Sequence, residues 1–437
     1  MLARLGLHSP ELRAWAMYDW ANSAFLTTII AGVFPIFFLS EAAATLDPAV
    51  AQSRFSWAST MAVAMVAVLS PLLGALADYK AAKKKFLALF LGIGVSSTAA
   101  MVFIHRGDWL LAATLFVLGN IGVIGSLVFY DSLLPHIARA DEADRVSTAG
   151  YAIGYLGGGL LLALNLAWIA NPGAWGIPDA STAARLSFAS VAFWWLLFSV
   201  PLFLKVPEPA RRLEPDEQPG GNAVAIAFTR LRETLHDLRL FKQAFLLLVA
   251  FAVYNDGINT IIRMATSYGT LIGLQPTDLI PAILLVQFAG VPFAFLFGML
   301  AGRIGAKRSI LLALTVYTGI SVLAYFMTTA VHFYLLAFLV ATVQGGSQAL
   351  SRSMFATMIP RHKSSEFFAF FGIFEKFTGV LGPAIFAFTV GSTGSGRLAI
   401  LSMIGFFVVG GLLLARVDVA AGRSAARAAE EWVRPVA

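Results

Sequence analysis

The chain reads as an all-α integral membrane protein of about twelve transmembrane helices, arranged as two pseudo-symmetric six-helix bundles. Three observations lead there. Of its 437 residues 58% are hydrophobic and only 13% are charged, about half the charged share of a soluble domain. The apolar stretches are long and continuous, so their backbones are satisfied within helices and not across the strands of a barrel. Finally, an Asp three residues before an Asn recurs inside a long apolar run, at Asp19/Asn22 and again at Asp256/Asn259. An intramembrane carboxylate costs roughly 2–4 kcal/mol. Carrying that cost at matching places in two halves points to a duplicated carrier whose polar groups face inward.

Apolar runs predict spans at 14–39, 56–77, 86–104, 109–134, 149–170, 186–204, 243–267, 279–301, 309–329, 333–358, 367–390 and 398–417. With the N-terminus inside, 24 of the 31 Lys and Arg fall in the termini and alternate connections of one side. Only Arg54, Arg106, Arg185 and Arg397 fall on the other. The positive-inside rule therefore places both termini in the cytoplasm. The expected domains are residues 1–204, a linker at 205–242, residues 243–418 and a cytoplasmic tail at 419–437. The linker opens on Pro207, Pro209, Pro215 and Pro219 and reads as flexible. Phe228, Leu231, Leu235 and Leu238 then recur at helical spacing with Arg230, Arg232 and Arg239 off the stripe. That pattern predicts an interfacial helix lying on anionic membrane lipids, its role to tether the halves.

The halves repeat beyond the Asp/Asn pairs. Gly74-Ala-Leu-Ala-Asp78-Tyr-Lys-Ala-Ala-Lys83-Lys84 matches Gly298-Met-Leu-Ala-Gly302-Arg-Ile-Gly-Ala-Lys307-Arg308 at an offset of 224. Asp19 and Asp256 lie 237 apart, a difference assigned to a longer outside loop around 40–55. Asp131 and Arg352 are repeat mates at an offset of 221, opposite in sign and near the cytoplasmic ends of the fourth and tenth spans. Parallel six-helix repeats are the architecture in which one half rocks against the other about a central site.

The Gly74-x-Leu-Ala-Asp78-x-x-x-x-Lys83-Lys84 loop resembles the signature loop of the major facilitator superfamily, with Tyr79 and Ala81 where the usual Arg and Gly stand. Tyr18-Asp19-Trp20-Ala21-Asn22-Ser23, Tyr254-Asn255-Asp256-Gly257-Ile258-Asn259-Thr260 and Gly154-Tyr155-Leu156-Gly157-Gly158 resemble one branch of it. That branch holds the vacuolar amino-acid effluxers linked to autophagy and bacterial members of undefined substrate. The resemblance implies the major facilitator fold and alternating access around the first, fourth, seventh and tenth helices. It also implies that Asp78 meets the N-terminus of a helix from the other half when the cytoplasmic side is shut. Gly150-x-x-x-Gly154-x-x-x-Gly158-Gly159 is similar to the fifth-helix motif of drug–proton antiporters, but Tyr155 replaces its Pro and the fourth span has no central Arg. Close helix packing explains those small residues equally well.

The charged residues inside spans carry the functional reading. Asp19 and Asn22 share a helix face and are assigned to a substrate ammonium or a proton, the alternative being a first-turn acid favoured by the helix dipole. Asp256 lies about 13 residues into its span, near mid-membrane, and Asn259 and Arg263 continue its face. The alternative for that stripe is a packing network between helices. Lys376 is a candidate cavity cation, while Tyr155 and Gln344 are candidate neutral cavity groups that interhelical hydrogen bonds would also explain. Asp78, Asp131 and Arg352 are assigned to gating, Asp131 approaching Arg352 when the cytoplasmic gate closes.

The exclusions are chemical. There is no cysteine, and no HExxH, GxSxG or P-loop string occurs, so thiolate, metalloprotease, serine-hydrolase and directly ATP-driven chemistry lack their residues. No enzyme activity, cofactor or metal is expected. The net charge of +7 sits in one set of loops and signals membrane orientation and lipid contact, not nucleic acid. The N-terminus runs into the first span with no cleaved signal. The expected protein is a monomeric secondary transporter of the cytoplasmic (inner) membrane that exports amino acids or other small zwitterions, coupled to protons through Asp19 or Asp256. Uniport, export of amphipathic or lipid-like solutes, and a non-transporting receptor or scaffold are the alternatives.

Overall fold

A computed structural model of the chain describes residues 5–213, 226–230, 241–271, 276–377, 381–431 and 434–435. The first half comprises α1 (Pro10–Ala42), α2 (Pro48–Lys80), α3 (Lys83–Phe103), α4 (Trp109–Ile137), α5 (Ala143–Ala170) and α6 (Ala180–Lys205). The second comprises α7 (Lys242–Leu271), α8 (Pro276–Ile304), α9 (Ala306–Tyr325), α10 (Ala330–Ala356), α11 (Ser364–Phe377), α12 (Leu381–Thr393) and α13 (Gly396–Ala415). A terminal helix α14 (Val419–Glu431) follows. Among the described residues eleven helices are long and apolar enough to cross a membrane. α11 and α12 together occupy the remaining expected span at 367–390.

Local chemistry sets the helix ends. Ser9 caps α1 by accepting from the Leu12 N–H at 3.3 Å, with Pro10 at the first helical position and Glu11 in the first turn. Pro35 cannot donate to the ladder, and α1 widens to π geometry over Phe25–Gly32 and again over Phe38–Ala42. The expected long loop at 40–55 is not present. α2 begins at Pro48, and the residues that offset the two halves extend helices, α1 and α2 having 33 residues each against 30 and 29 for α7 and α8.

Within the halves α1 packs on α5 and α6, α3 on α4 and α6, α7 on α13, and α8 and α9 on α10. Between them α5 meets α8 and α10, while α2 and α4 meet α11. The glycine stripe of α5 serves the close packing against α1. A Cβ at Gly150 would stand 2.4 Å from Asp19 Oδ2, and one at Gly154 2.7 Å from Ser23 Oγ. Tyr155, one residue on, points the other way, its ring against Gly290 of α8 and Gly345 of α10.

The basic connections (α2–α3, α4–α5, α6–α7, α8–α9, α10–α11) and the termini share one end of the bundle, here called the basic face. Lysines there tie helix ends together. Lys84 Nζ donates to the carbonyls of Phe203 (2.9 Å) and Val206 (2.6 Å) at the end of α6. Lys307 Nζ does the same for Ala415 and Val417 at the end of α13, both at 2.8 Å. Lys307 therefore corresponds to Lys84 in its action, one residue away from the motif match with Lys83. The interfacial-helix reading of the linker changes too. Residues 226–230 are helical, but Arg230 is only 1% exposed while Phe228 is 57% exposed; Leu231, Arg232, Leu235, Leu238 and Arg239 lie outside the described residues.

The α2–α3 turn holds Ala81 at φ 47°, in the left-handed region where its counterpart Gly305 has φ 86°. A Cβ is unfavourable there by about 1 kcal/mol. Ala81→Gly should accordingly raise the thermal midpoint in detergent by the equivalent of about 0.5–1 kcal/mol. An unchanged or lowered midpoint would show that the turn is not strained.

Candidate functional site: a buried arginine between the halves

Arg352, in the last two turns of α10, is 3% exposed. Each of its three guanidinium nitrogens has a partner on the first half. Nη2 donates to Asp19 Oδ2 of α1 at 3.1 Å and Nη1 to Asp131 Oδ1 of α4 at 3.1 Å. Nε donates to Ser147 Oγ of α5 at 2.9 Å, and Nη2 also reaches the Ser147 carbonyl at 3.1 Å. The planar cation lies over the rings of Tyr151 (4.6 Å), Trp15 (4.8 Å) and Tyr130 (5.7 Å). Trp15 stacks on Tyr130 and donates its indole N–H to the Tyr130 carbonyl. A guanidinium can serve two carboxylates and a hydroxyl at once because its donors fan out in a fixed plane; an ammonium cannot.

The structure thus brings Asp131 and Arg352 together and adds Asp19 to them. The sequence assigns Asp19 to a substrate ammonium or a proton; which neighbour it faces depends on helix rotation. Ser147 carries no sequence signal as a partner. Asn22 is buried and donates to the Tyr18 carbonyl of its own helix at 2.7 Å. Asp256 stands apart from the cluster, its Oδ2 accepting from the Gly382 N–H in the first turn of α12 at 3.0 Å. Asn259 is half-buried on the same helix. The hydroxyl of Tyr155 and Oε1 of Gln344 are buried without a hydrogen-bond partner, so the interhelical bonds expected as their alternative role are not made. Arg263 and Lys376 lie on α7 and α11, but their side chains lie outside the described residues.

A second set of contacts closes the same face between α2 and α11. Asp78 pairs with Lys83, and Asp78 Oδ2 accepts the Glu366 N–H in the first turn of α11 at 3.1 Å. An acid at a helix N-terminus is favoured by its unpaired N–H groups and dipole. Lys83 Nζ continues to Ser364 Oγ (3.0 Å) and Ser365 Oγ (2.7 Å). Those serines donate in turn to the Ser132 carbonyl (3.0 Å) and Ser132 Oγ (3.1 Å) on α4. Gly74 lets the helices touch, since a Cβ there would stand 2.7 Å from the Ser365 carbonyl oxygen. Ser353 Oγ donates to Asp144 Oδ1 at 2.6 Å and Ser147 Oγ to the Ala349 carbonyl at 2.7 Å between α5 and α10. The polar contacts between halves gather at the basic face, which is shut.

The chain matches the family described as vacuole effluxer Atg22 like over residues 48–427. It belongs to that family. An uncharacterized transporter of the major facilitator type from Bacillus subtilis, YxiO, is 39% identical to it over 92% of this chain and 94% of its own length. Autophagy-related protein 22 of Yarrowia lipolytica is 26% identical over 66% of this chain, which spans 52% of that longer protein. Among solved structures the proton:xylose symporter XylE superimposes with a TM-score of 0.69 at 15% identity, covering 95% of this chain and 96% of its own. The Escherichia coli fucose:proton symporter FucP gives 0.67 at 13%, covering 95% and 98%. The fold is that of the major facilitator superfamily, and this Atg22-like chain is a multi-pass membrane transporter.

The Arg352 site rests on Gly150, whose absent Cβ leaves room for Asp19 Oδ2. Gly150→Ala in this Atg22-like transporter should cost about 1–3 kcal/mol of stability by overpacking and separate Asp19 from Arg352. Gly92→Ala, where a Cβ meets nothing within 4 Å, serves as the control and should leave the thermal midpoint unchanged or slightly raised, since Ala favours a helix interior over Gly. Equal midpoints for the two variants would refute the tight fit.

Proposed function

We propose that this protein exports amino acids or other small zwitterionic solutes by alternating access, coupled to protons, from a cytoplasmic membrane in which its basic face is inward and it acts as a monomer. The observation that carries this reading is the Arg352 bridge. One buried cation of the second half is held by two carboxylates of the first, and these can separate only when the basic face opens. The family described as vacuole effluxers and the distribution of Lys and Arg support the direction and orientation.

The same groups supply a coupling scheme. Protonation of Asp19 or Asp131 removes half of the counter-charge from Arg352 and weakens the seal. Once the halves part, two neighbouring carboxylates without their arginine favour a cation between them. A solute ammonium can take that place in exchange for the proton, and Arg352 is left to receive the solute carboxylate. Asp78 biases the closed state through the α11 N-terminus by a contribution of about 0.3–1 kcal/mol. Asp256, at the α12 N-terminus, positions a helix of the second half while Asn259, Tyr155 and Gln344 offer neutral groups to the solute.

Counterflow of radiolabelled amino acids in proteoliposomes, with and without an imposed pH gradient, is the direct test. The wild type should exchange at least one amino acid and accelerate when protons flow opposite to the solute. Asp131→Asn should lose most of the gradient dependence, with flux falling about tenfold or more, the equivalent of about 1.4 kcal/mol. Absence of flux for amino acids and dipeptides under every gradient would refute the solute class; flux indifferent to the gradient in the wild type would refute the coupling.

A further inference from the structure

The segment joining the halves does not simply hang between them. Its first residues are fastened to the first half at the basic face, and the residues that follow reach the second. Glu208 accepts from the backbone N–H groups of Lys83 (2.7 Å) and Lys84 (2.9 Å), capping α3. Arg211 Nε donates to the Tyr79 carbonyl at 2.8 Å and its guanidinium lies 4.5 Å above the Tyr79 ring. Arg212 and Leu213 then pair antiparallel with Pro435 and Arg434 of the C-terminal tail.

The helical residues 226–230 complete the crossing. Arg230, 1% exposed, places Nη1 3.4 Å from Oε1 of Glu366, which is fully buried in the first turn of α11. Its guanidinium lies 5.7 Å from the Tyr79 ring at the end of α2, and Nη2 reaches the Arg212 carbonyl at 3.5 Å. Arg230 therefore touches both sides of the α2–α11 junction, the junction held by Asp78, Lys83 and the close approach of Gly74 to Ser365. The tail is fixed to the second half as well, through Glu430 Oε1, which accepts the Arg361 N–H at 3.0 Å, and Arg423 Nε, which donates to Thr357 Oγ1 at 3.2 Å.

We propose that linker residues 206–213 and 226–230, with α14 and the paired residues 434–435, form a strap that holds the basic face shut, and that the strap must release before α2 and α11 can separate. A tether needs length and solvation; it does not need a buried arginine. A buried charge stays favourable only while its partners remain in place, so parting α2 from α11 costs Arg230 either Glu366 or the Tyr79 seat. Because the two-residue ladder joins linker to tail, the tail is pulled with it. The strap rests on alternating access but not on any solute or coupling ion, and its test reads shape, not transport.

The chain has no cysteine, so paired spin labels can be introduced directly. Lys85→Cys at the start of α3 and Arg416→Cys at the end of α13 are both exposed, at the basic face of opposite halves. The parent in lipid nanodiscs should give mainly the short, closed distance. Arg230→Gln and Glu366→Gln should each add a longer-distance population, raising the open-to-closed ratio roughly tenfold or more. Arg230→Lys, which keeps the charge without the span, should fall between. Distance distributions of monodisperse Arg230→Gln and Glu366→Gln protein that superimpose on the parent's would overturn the strap, even if both variants also fail to transport.

Discussion

A guanidinium buried between two carboxylates is the interaction on which the arrangement of the halves depends. Arg352, Asp19 and Asp131 each carry a desolvation penalty that no single ion pair offsets well. The site is tolerable because every guanidinium nitrogen is used, Ser147 fills the edge left by the acids, and three aromatic rings cover the cation. Such a site is favourable when complete and unfavourable when half made. Removing one helix by a fraction of a turn leaves a charge without its partners, so intermediate positions are poorly populated. That is the property a gate needs, since two discrete arrangements transmit a small bias as a change of state.

The sign of the charges is distributed unequally between the halves, although the sequence is duplicated. At α4/α10 the repeat mates Asp131 and Arg352 have opposite charge and attract. At α2/α11 the first half again supplies the carboxylate, Asp78, and the second supplies a helix N-terminus. At the corresponding α5/α8 junction the acid is replaced by Gly302, where a Cβ would stand 3.1 Å from the Arg145 guanidinium. An Asp at that position would have given the second half an acid of its own; glycine instead makes space for a cation of the first. The duplication thus fixes where the contacts lie, and departures from it decide which of them attract.

How much of this was legible before the structure follows from what each signal encodes. Span number and repeat are written in hydrophobicity and offset, and the helices lie where those place them. The Asp131–Arg352 contact is legible because a pseudo-twofold relation brings equivalent helix ends together and opposite charge gives the pair a reason to meet. Asp19 joins them through rotation of α1 about its axis, set by the glycine stripe of α5 and not by the depth of Asp19 along the chain. Arg230 defeats a pattern argument for a related reason. A helical stripe of Phe228 and leucines places charge toward water only if nothing else covers it, and Glu366 with the Tyr79 ring does. The helical extension of α2 to Pro48 is hidden because Gln52, Ser53, Arg54 and Ser56 are polar residues that read as loop.

The placement of the acids has a consequence for the order of events in the proposed cycle. Asp19 and Asp131 cannot hold Arg352 and a solute ammonium at once, so solute binding at these acids and closure of the basic face exclude one another. Linkage makes the exclusion mutual: whatever strengthens the Arg352 bridge weakens solute binding at the acids by the same free energy. A solute admitted at the basic face must therefore leave the acids before that face shuts, moving deeper toward groups such as Tyr155 and Gln344, which lie about two turns further along α5 and α10 than Ser147 and Arg352. Closure then expels cationic solute from its entry site and reforms the seal in one step. An exporter gains from that coupling, because the return of Arg352 to its two carboxylates opposes backflow without requiring the solute to bind tightly at the exit.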